Sequence, residues 1–404
     1  MPLRFSFFLS LVILVGPVSA EYASQKLQAA TQESSDKFGY SVSVHEDLVL
    51  VGGPGFSSKT TGKASVFAFD EGQWVLSKNL IPNNLTVNTE YGYAVDINAQ
   101  FAVVSARHDA DVAENSGAVY VFEFVDGDWT ETDKLKPAGV QANDRFGKAL
   151  SLYENRLMVT SNNDDNDVYV YEHDGVSWAE TGRLSIPNGL SISNFGTSIS
   201  LSDQYAVIGA HTHQGSGTVF IFENLQEQWG EAVELTPSDG VSGDNFGVAV
   251  AVDGDFVMVG ATHKDNDNGV FSAGAVYAFK NTNGSWHEID KISLSVTPHL
   301  SYFGKSVSLY KKWVVIGASG ANGNTSTTGA IYLYKFNGDG WLLHQKLLAE
   351  DGESLDRFGA SAHLSEKWII TGAPQHDFGV GASLYGAAYV VNYDDIFQTD
   401  FEAK

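Results

Sequence analysis

Seven times in this chain an aromatic residue is followed directly by glycine: Phe38-Gly39, Tyr91-Gly92, Phe146-Gly147, Phe195-Gly196, Phe246-Gly247, Phe303-Gly304 and Phe358-Gly359. Successive pairs are 53, 55, 49, 51, 57 and 55 residues apart, so one unit has been made seven times over. A period of this size constrains the fold more than any property of composition, because each unit must be a small supersecondary element that buries its faces against its neighbours. Each pair opens an alternating run such as Ser41-Val42-Ser43-Val44, whose period of two predicts a half-buried strand. A tight turn and a more continuously apolar strand follow, ending in small residues as in Gly52-Gly53-Pro54 or Gly209-Ala210-His211. A longer polar loop leads to a third strand of the type Gly117-Ala118-Val119-Tyr120-Val121-Phe122, and a second tight turn leads to a fourth that opens on tryptophan. Trp74, Trp129, Trp178, Trp229, Trp286 and Trp341 step by 55, 49, 51, 57 and 55, which fixes the register of the repeat.

Four strands per unit, each sheet too thin to bury both faces alone, predict sheets stacked around an axis. The fold class expected is all-β: a seven-bladed β-propeller of four-stranded antiparallel blades. Its closure is also written in the chain. The seventh unit stops after a third strand at Ala387-Ala388-Tyr389-Val390-Val391, whereas Gln25-Lys26-Leu27 before Phe38-Gly39 matches Gln345-Lys346-Leu347 before Phe358-Gly359. The last blade is therefore expected to be completed by the N-terminal strand, which removes the exposed sheet edges.

These units resemble the FG-GAP repeats of integrin α subunits and of many exported bacterial proteins, over a span from about Ala23 to Tyr393. The resemblance implies adhesion or recognition of a protein or glycan rather than catalysis. It also implies calcium loops between first and second strands, and here the sequence departs from the pattern. Connections such as His45-Glu46-Asp47 and Tyr310-Lys311-Lys312 have neither the length nor the oxygens that calcium needs.

The first twenty residues, with Arg4, an apolar run from Phe5 to Val15 and the ending Val18-Ser19-Ala20, read as an export signal removed near Ala20. The expected organisation is a signal at 1–20, the propeller at 21–393 and an acidic tail at 394–404. That places the product outside the cell or in a periplasm, as a monomer with no membrane span. The chain has no cysteine, so this exported fold must hold together without disulfides. Its net charge of −25 repels phosphate backbones and excludes nucleic acid as the expected partner.

Tight turns between strands one and two and between three and four fall on one face of the ring, and the longer connections fall on the other. Recognition is expected on the long-loop face, where variable loops ride on a rigid scaffold. Those loops carry His108, Asp109, Asp111, His211, His213, His263, Asp265, Asp267, His376 and Asp377, and imidazole with carboxylate is a ligand set for zinc or a similar ion. Asp265 and Asp267 also begin a run that reads either as a calcium loop or as a polar turn, and Asp164, Asp165 and Asp167 crowd three carboxylates into one short loop that a calcium ion would relieve. Solvated loop side chains are the competing reading of both sets, and no cofactor is otherwise required. No nucleophile elbow, zinc-protease motif or phosphate-cradling loop is present, so an enzyme is not expected. A binding or adhesion propeller is the leading functional reading. A scaffold for an exported assembly and a carbohydrate-active enzyme with its site over the central channel are the alternatives.

Overall fold

A computed structural model describes residues 24–57, 60–162, 167–186, 194–225, 228–377 and 384–393. The expected export signal at 1–20, the expected tail at 394–404 and the pair Asp164 and Asp165 lie outside the described residues. Seven four-stranded antiparallel sheets are present, as the repeat predicts. In the first blade the strands are Ser41–His45, Leu48–Gly53, Lys63–Asp70 and Gln73–Asn79, paired in that order. The seventh blade takes Ser361–Leu364, Trp368–Ala373 and Ala387–Asn392 from the end of the chain and Ser24–Leu27 from its beginning.

The closing strand enters in register. Lys26 stands opposite Tyr389, just as Lys346 stands opposite Tyr332 in the sixth blade. Leu27 is buried with Phe38, Trp74, Trp368 and Val390 in the core shared by the seventh and first blades. Every hydrophobic core of the molecule has this character: seven clusters, each built from two successive blades, close around the ring.

First strands touch first strands around a complete cycle, which places them at the axis. Each aromatic of the aromatic-glycine pair is buried and meets an aromatic of the third strand in its own blade edge-on, as with Phe146 and Tyr169 at 5.3 Å or Phe358 and Tyr389 at 5.4 Å. The glycine that follows is required by proximity. Gly247 has φ of +90°, and its carbonyl lies where any Cβ on Gly209 of the preceding blade would stand. The tryptophans seal the other end of each interface by packing on the opening of the preceding blade's second strand, as with Trp178 on Phe101, Trp286 on Tyr205 and Trp341 on Phe256. Their role is architectural, because an indole covers the wide outer part of a wedge whose narrow part is filled by glycine.

Candidate functional site

Near the axis the side chain five residues after each repeated aromatic forms a belt: Ser43, Asp96, Ser151, Ser200, Ala251, Ser308 and His363. Five of its members accept backbone N–H groups from the next blade. Leu201 N donates to Ser151 Oγ, Val252 N to Ser200 Oγ and Leu364 N to Ser308 Oγ, at 3.0 to 3.1 Å. Leu152 N donates to Asp96 Oδ2 at 2.8 Å, and Val44 N donates to His363 Nδ1 at 2.9 Å. The belt thus satisfies strand edges that would otherwise face the channel unpaired.

Above the belt, on the short-turn side, the axis widens into a cavity of about 1530 Å³. Its wall carries Glu46, Asp47, Asp96, Glu154, Asp253 and Glu366 against a single lysine, Lys367. Ser43, Asp96 and His363 meet at its floor. Ser43 Oγ donates to Asp96 Oδ1 at 2.6 Å, and burial pulls the His363 imidazole below its ordinary pKa, with Asp96 opposing that shift. The wiring differs from an acyl-transfer triad, in which histidine stands between serine and aspartate; here His363 Nδ1 is occupied by a backbone amide. Both oxygens of Asp96 are also engaged, so these groups serve the belt.

This cavity therefore opens on the short-turn face, whereas the candidate residues named from the sequence lie on the opposite side. Most of those residues are engaged in holding loops and strands. Asp109 is buried, accepts from Tyr120 Oη at 2.9 Å and pairs with Lys134 at 2.8 Å; Asp111 pairs with Lys134 at 2.5 Å and with Lys136 at 3.1 Å. The same carboxylate, phenol and ammonium recur as Asp239, Tyr277 and Lys291 and as Asp351, Tyr389 and Lys26. In each case the lysine of the fourth strand stands opposite the tyrosine of the third. His376 is buried between Asp356 Oδ2 and Lys26 Nζ, both at 2.7 Å. Asp377 is half-buried in the same loop.

The candidate metal residues are dispersed. Asp265 Oδ1 accepts from Ser272 N at 2.8 Å, while Asp267 is exposed and lies 3.8 Å from Lys291. Asn266 Oδ1 accepts from the amides of Asn268 and Val270, so the run is a polar turn with its own internal ligands. Asp167 accepts from Ser185 Oγ at 2.5 Å and lies 3.5 Å from Arg183. Among the described residues no three histidine or carboxylate groups are arranged to hold a metal.

Three of the expected histidines, His108, His211 and His263, stand around the axis at the long-loop mouth, whereas His213 faces Phe220 at 6.2 Å. The mouth is built by a turn. The residue before each aromatic has a left-handed backbone, from Lys37 at φ +52° to Arg357 at +64°, and in six repeats the amide two residues beyond the aromatic donates to its carbonyl. The repeats thereby present one side chain just before the aromatic and one at the start of the innermost strand. The former are Lys37, Glu90, Arg145, Asn194, Asn245, Tyr302 and Arg357; the latter are Tyr40, Tyr93, Lys148, Thr197, Val248, Lys305 and Ala360. These positions thus hold five cations and one carboxylate, and Glu90 is already held by Arg107 and lies 3.4 Å from His108.

Lys148 and Lys305 make no ion pair or side-chain hydrogen bond among the described residues. Burial first and Arg107 second push the Lys148 ammonium down to about 8. Lys305 is lowered by burial, although its side chain is open to solvent. Burial also lowers His211 and His263; Lys148, Lys305 and His263 act further on His211, and Lys305 on His263. His211 Nδ1 lies 2.8 Å from Thr197 Oγ1, and His263 Nδ1 lies 2.8 Å from Asn245 Nδ2. Sequence reasoning by residue type passed over Lys148 and Lys305. The signal available was positional: a lysine where other repeats place tyrosine, threonine, valine or alanine.

Comparison with known proteins agrees with this architecture. A family model described as FG-GAP repeat matches residues 23–69, 74–122, 129–171, 178–222, 229–279, 286–334 and 341–391. No curated protein matches the chain. Among solved structures, one described as the mitotic checkpoint complex is similar with a TM-score of 0.57 and 12% identity, covering 96% of this chain and 98% of the other. Saccharomyces cerevisiae Sqt1 is similar with a TM-score of 0.50 and 12% identity, covering 85% of this chain and 82% of the other. At that identity the likeness is one of fold alone.

Proposed function

The chain belongs to the FG-GAP repeat family, and from that membership together with the long-loop mouth we propose that it is an exported, monomeric binding or adhesion propeller that recognises an extracellular partner through its long-loop face. The observation that carries this reading is the contrast between two kinds of charged side chain on that face. The loop carboxylates Asp109, Asp111, Asp265 and Asp351 are engaged with partners of the fold, while Lys148 and Lys305 at the axis are not. A charge kept in a recess without an internal partner costs stability, and such groups concentrate where a ligand supplies the missing partner.

Export is supported by the leader-like first twenty residues and by the family, and no helix among the described residues is long and apolar enough to cross a membrane. A scaffold would instead call for a broad apolar patch, whereas the positions around this mouth include five cationic residues. The test is a screen of the purified mature protein against surface proteins and glycans, with and without a metal chelator. Binding should survive charge reversal at Glu46 and Glu366 on the short-turn face and be lost on charge reversal at Lys148 and Lys305. The opposite pattern refutes the face assignment, and loss of binding with chelator alone would favour the metal-dependent variant of the reading.

A further inference from the structure

The two ends of the channel differ in sign within a protein whose net charge is −25. At the short-turn end six carboxylates line the wide cavity. At the long-loop end the turn geometry gathers Lys37, Arg145, Lys148, Lys305 and Arg357, with Glu90 neutralised by Arg107. Five cations to one acid at these positions reverses the balance of the whole chain, in which 49 acidic residues outnumber 24 basic ones. Lys148 and Lys305 come from blades three and six, yet both act on the same His211 ring from blade four, so their charges converge across the axis rather than diverge into solvent. Arg145 Nε is likewise buried without a partner.

Resting on the proposed binding role of this face, we propose that the long-loop mouth is a carboxylate site, which receives an aspartate or glutamate side chain presented on a loop of a protein partner. Three observations select that ligand class. Four of the five cations are half-buried, so an anion reaches them best when carried on a projecting arm. The basic ring is small and surrounded by acidic protein, so a polyanion such as nucleic acid or a heavily sulfated glycan would be repelled along most of its length. Beside the ring, Val241, Phe271 and Leu300 are exposed at 61%, 56% and 43%, and two of them edge a hollow of about 280 Å³ next to His263. Apolar side chains flanking a recessed charge suit a peptide loop, whereas a neutral sugar would need polar donors and a free aromatic face. Two aromatic rings at this mouth are already covered by cations: Arg107 lies 3.8 Å over Tyr93, and Lys37 lies 4.9 Å over Phe56.

The experiment uses the full mature chain immobilised against a display library of short disulfide-closed peptide loops with apolar flanks and a central Asp or Glu, each matched by its Asn or Gln counterpart. Retained acidic loops should bind at least about tenfold more tightly than their amide counterparts, the usual effect of a charge-assisted hydrogen bond. The K148Q/K305Q double variant should lose that difference, and K312Q on the opposite face should keep it. Circular dichroism of the variants checks that the fold is unchanged. Equal binding of amide loops, an undiminished preference in K148Q/K305Q, or retention of no acidic loop overturns the proposal. So does lysine-dependent retention of sulfated or uronate glycans in a parallel arm with no acidic loop retained. The broader assignment of the long-loop face is read separately, by whether charge reversal there abolishes binding found in the surface-protein screen. It can stand when the carboxylate site fails.

Discussion

Lys148 offers the sharpest test of how charge is handled at this mouth. Its ammonium is half-buried, has no carboxylate partner among the described residues and titrates at about 8 rather than the ordinary 10.5. At about 1.4 kcal/mol per pH unit, that displacement corresponds to about 3 kcal/mol of differential cost for the charged form. The site is partly wetted, so screening reduces this to about 1–2 kcal/mol. Lys148→Gln removes the charge and should therefore stabilise the fold by about 1–2 kcal/mol at pH 7. The sign follows from proton counting. Between pH 8 and 10.5 the unfolded chain holds this proton and the folded chain does not, so wild-type stability rises with pH across that window. The advantage of Lys148→Gln should then be full below pH 8 and vanish by pH 10.5. Urea unfolding followed by tryptophan fluorescence, with both proteins at pH 7 and pH 10.5 and with equal m-values, measures it. A variant that is less stable than wild type at pH 7 would show that a carboxylate pairs with this lysine, and an advantage that persists at pH 10.5 would show that the charge is not its source.

Closure of the ring makes a second measurable claim. Leu27 is 2% exposed in the interface between the last and first blades, so Leu27→Ala should cost about 2–4 kcal/mol, and deletion of residues 24–27 should expose the edge of Ala387–Asn392 and drive self-association visible by light scattering. Asp244 receives Lys264 Nζ at 3.0 Å with both side chains buried, so Asp244→Asn should cost about 3 kcal/mol in a urea titration, whereas a change below about 1 kcal/mol would mean the pair is solvated. At the hub, Ser200→Ala leaves Val252 N without its acceptor and should destabilise by about 1–2 kcal/mol; a neutral result would show that channel water replaces the hydroxyl. Ala251→Ser, at the belt position that lacks a side-chain acceptor, should be neutral or stabilising, and clear destabilisation would argue against the belt.

The repeat made the architecture legible because each of its signals is local and recurs at one register. Phe146 and Gly147 lie side by side in the chain, and so do the roles they play, one filling the core of a blade and the other letting the preceding blade approach. The closing strand was legible for the same reason: Gln25-Lys26-Leu27 is a displaced copy of a segment present elsewhere. The candidate site was less legible because the partners that decide a carboxylate's fate are remote in sequence. Asp351 is held by Lys26, 325 residues away, and Asp109 by Lys134 on a strand whose register is offset by a bulge between Val121 and Phe122. A histidine or aspartate in a polar loop looks free until that geometry is known. Lys148 and Lys305 erred in the other direction. Each reads as an ordinary polar residue at the start of a strand, and only the cycle of first strands reveals that both stand at one mouth.

The closed ring also explains how such charges can be tolerated. Each of the seven interfaces carries its own core of eleven to eighteen buried residues, fixed at the axis by side chains that cap backbone amides and at the rim by aromatic packing. A penalty of one or two kcal/mol at the mouth falls on an assembly in which no blade can leave without breaking two such interfaces. An open stack of the same units would fray from its ends, and an unpaired ammonium near an end would be relieved by local opening. Circular closure removes that escape, so the mouth retains its positive charge in the free protein. The association rate of an acidic partner should accordingly fall with ionic strength more steeply for wild type than for K148Q/K305Q, because screening acts on a fixed local charge. Parallel salt dependences in the two proteins would place the attraction elsewhere on the surface.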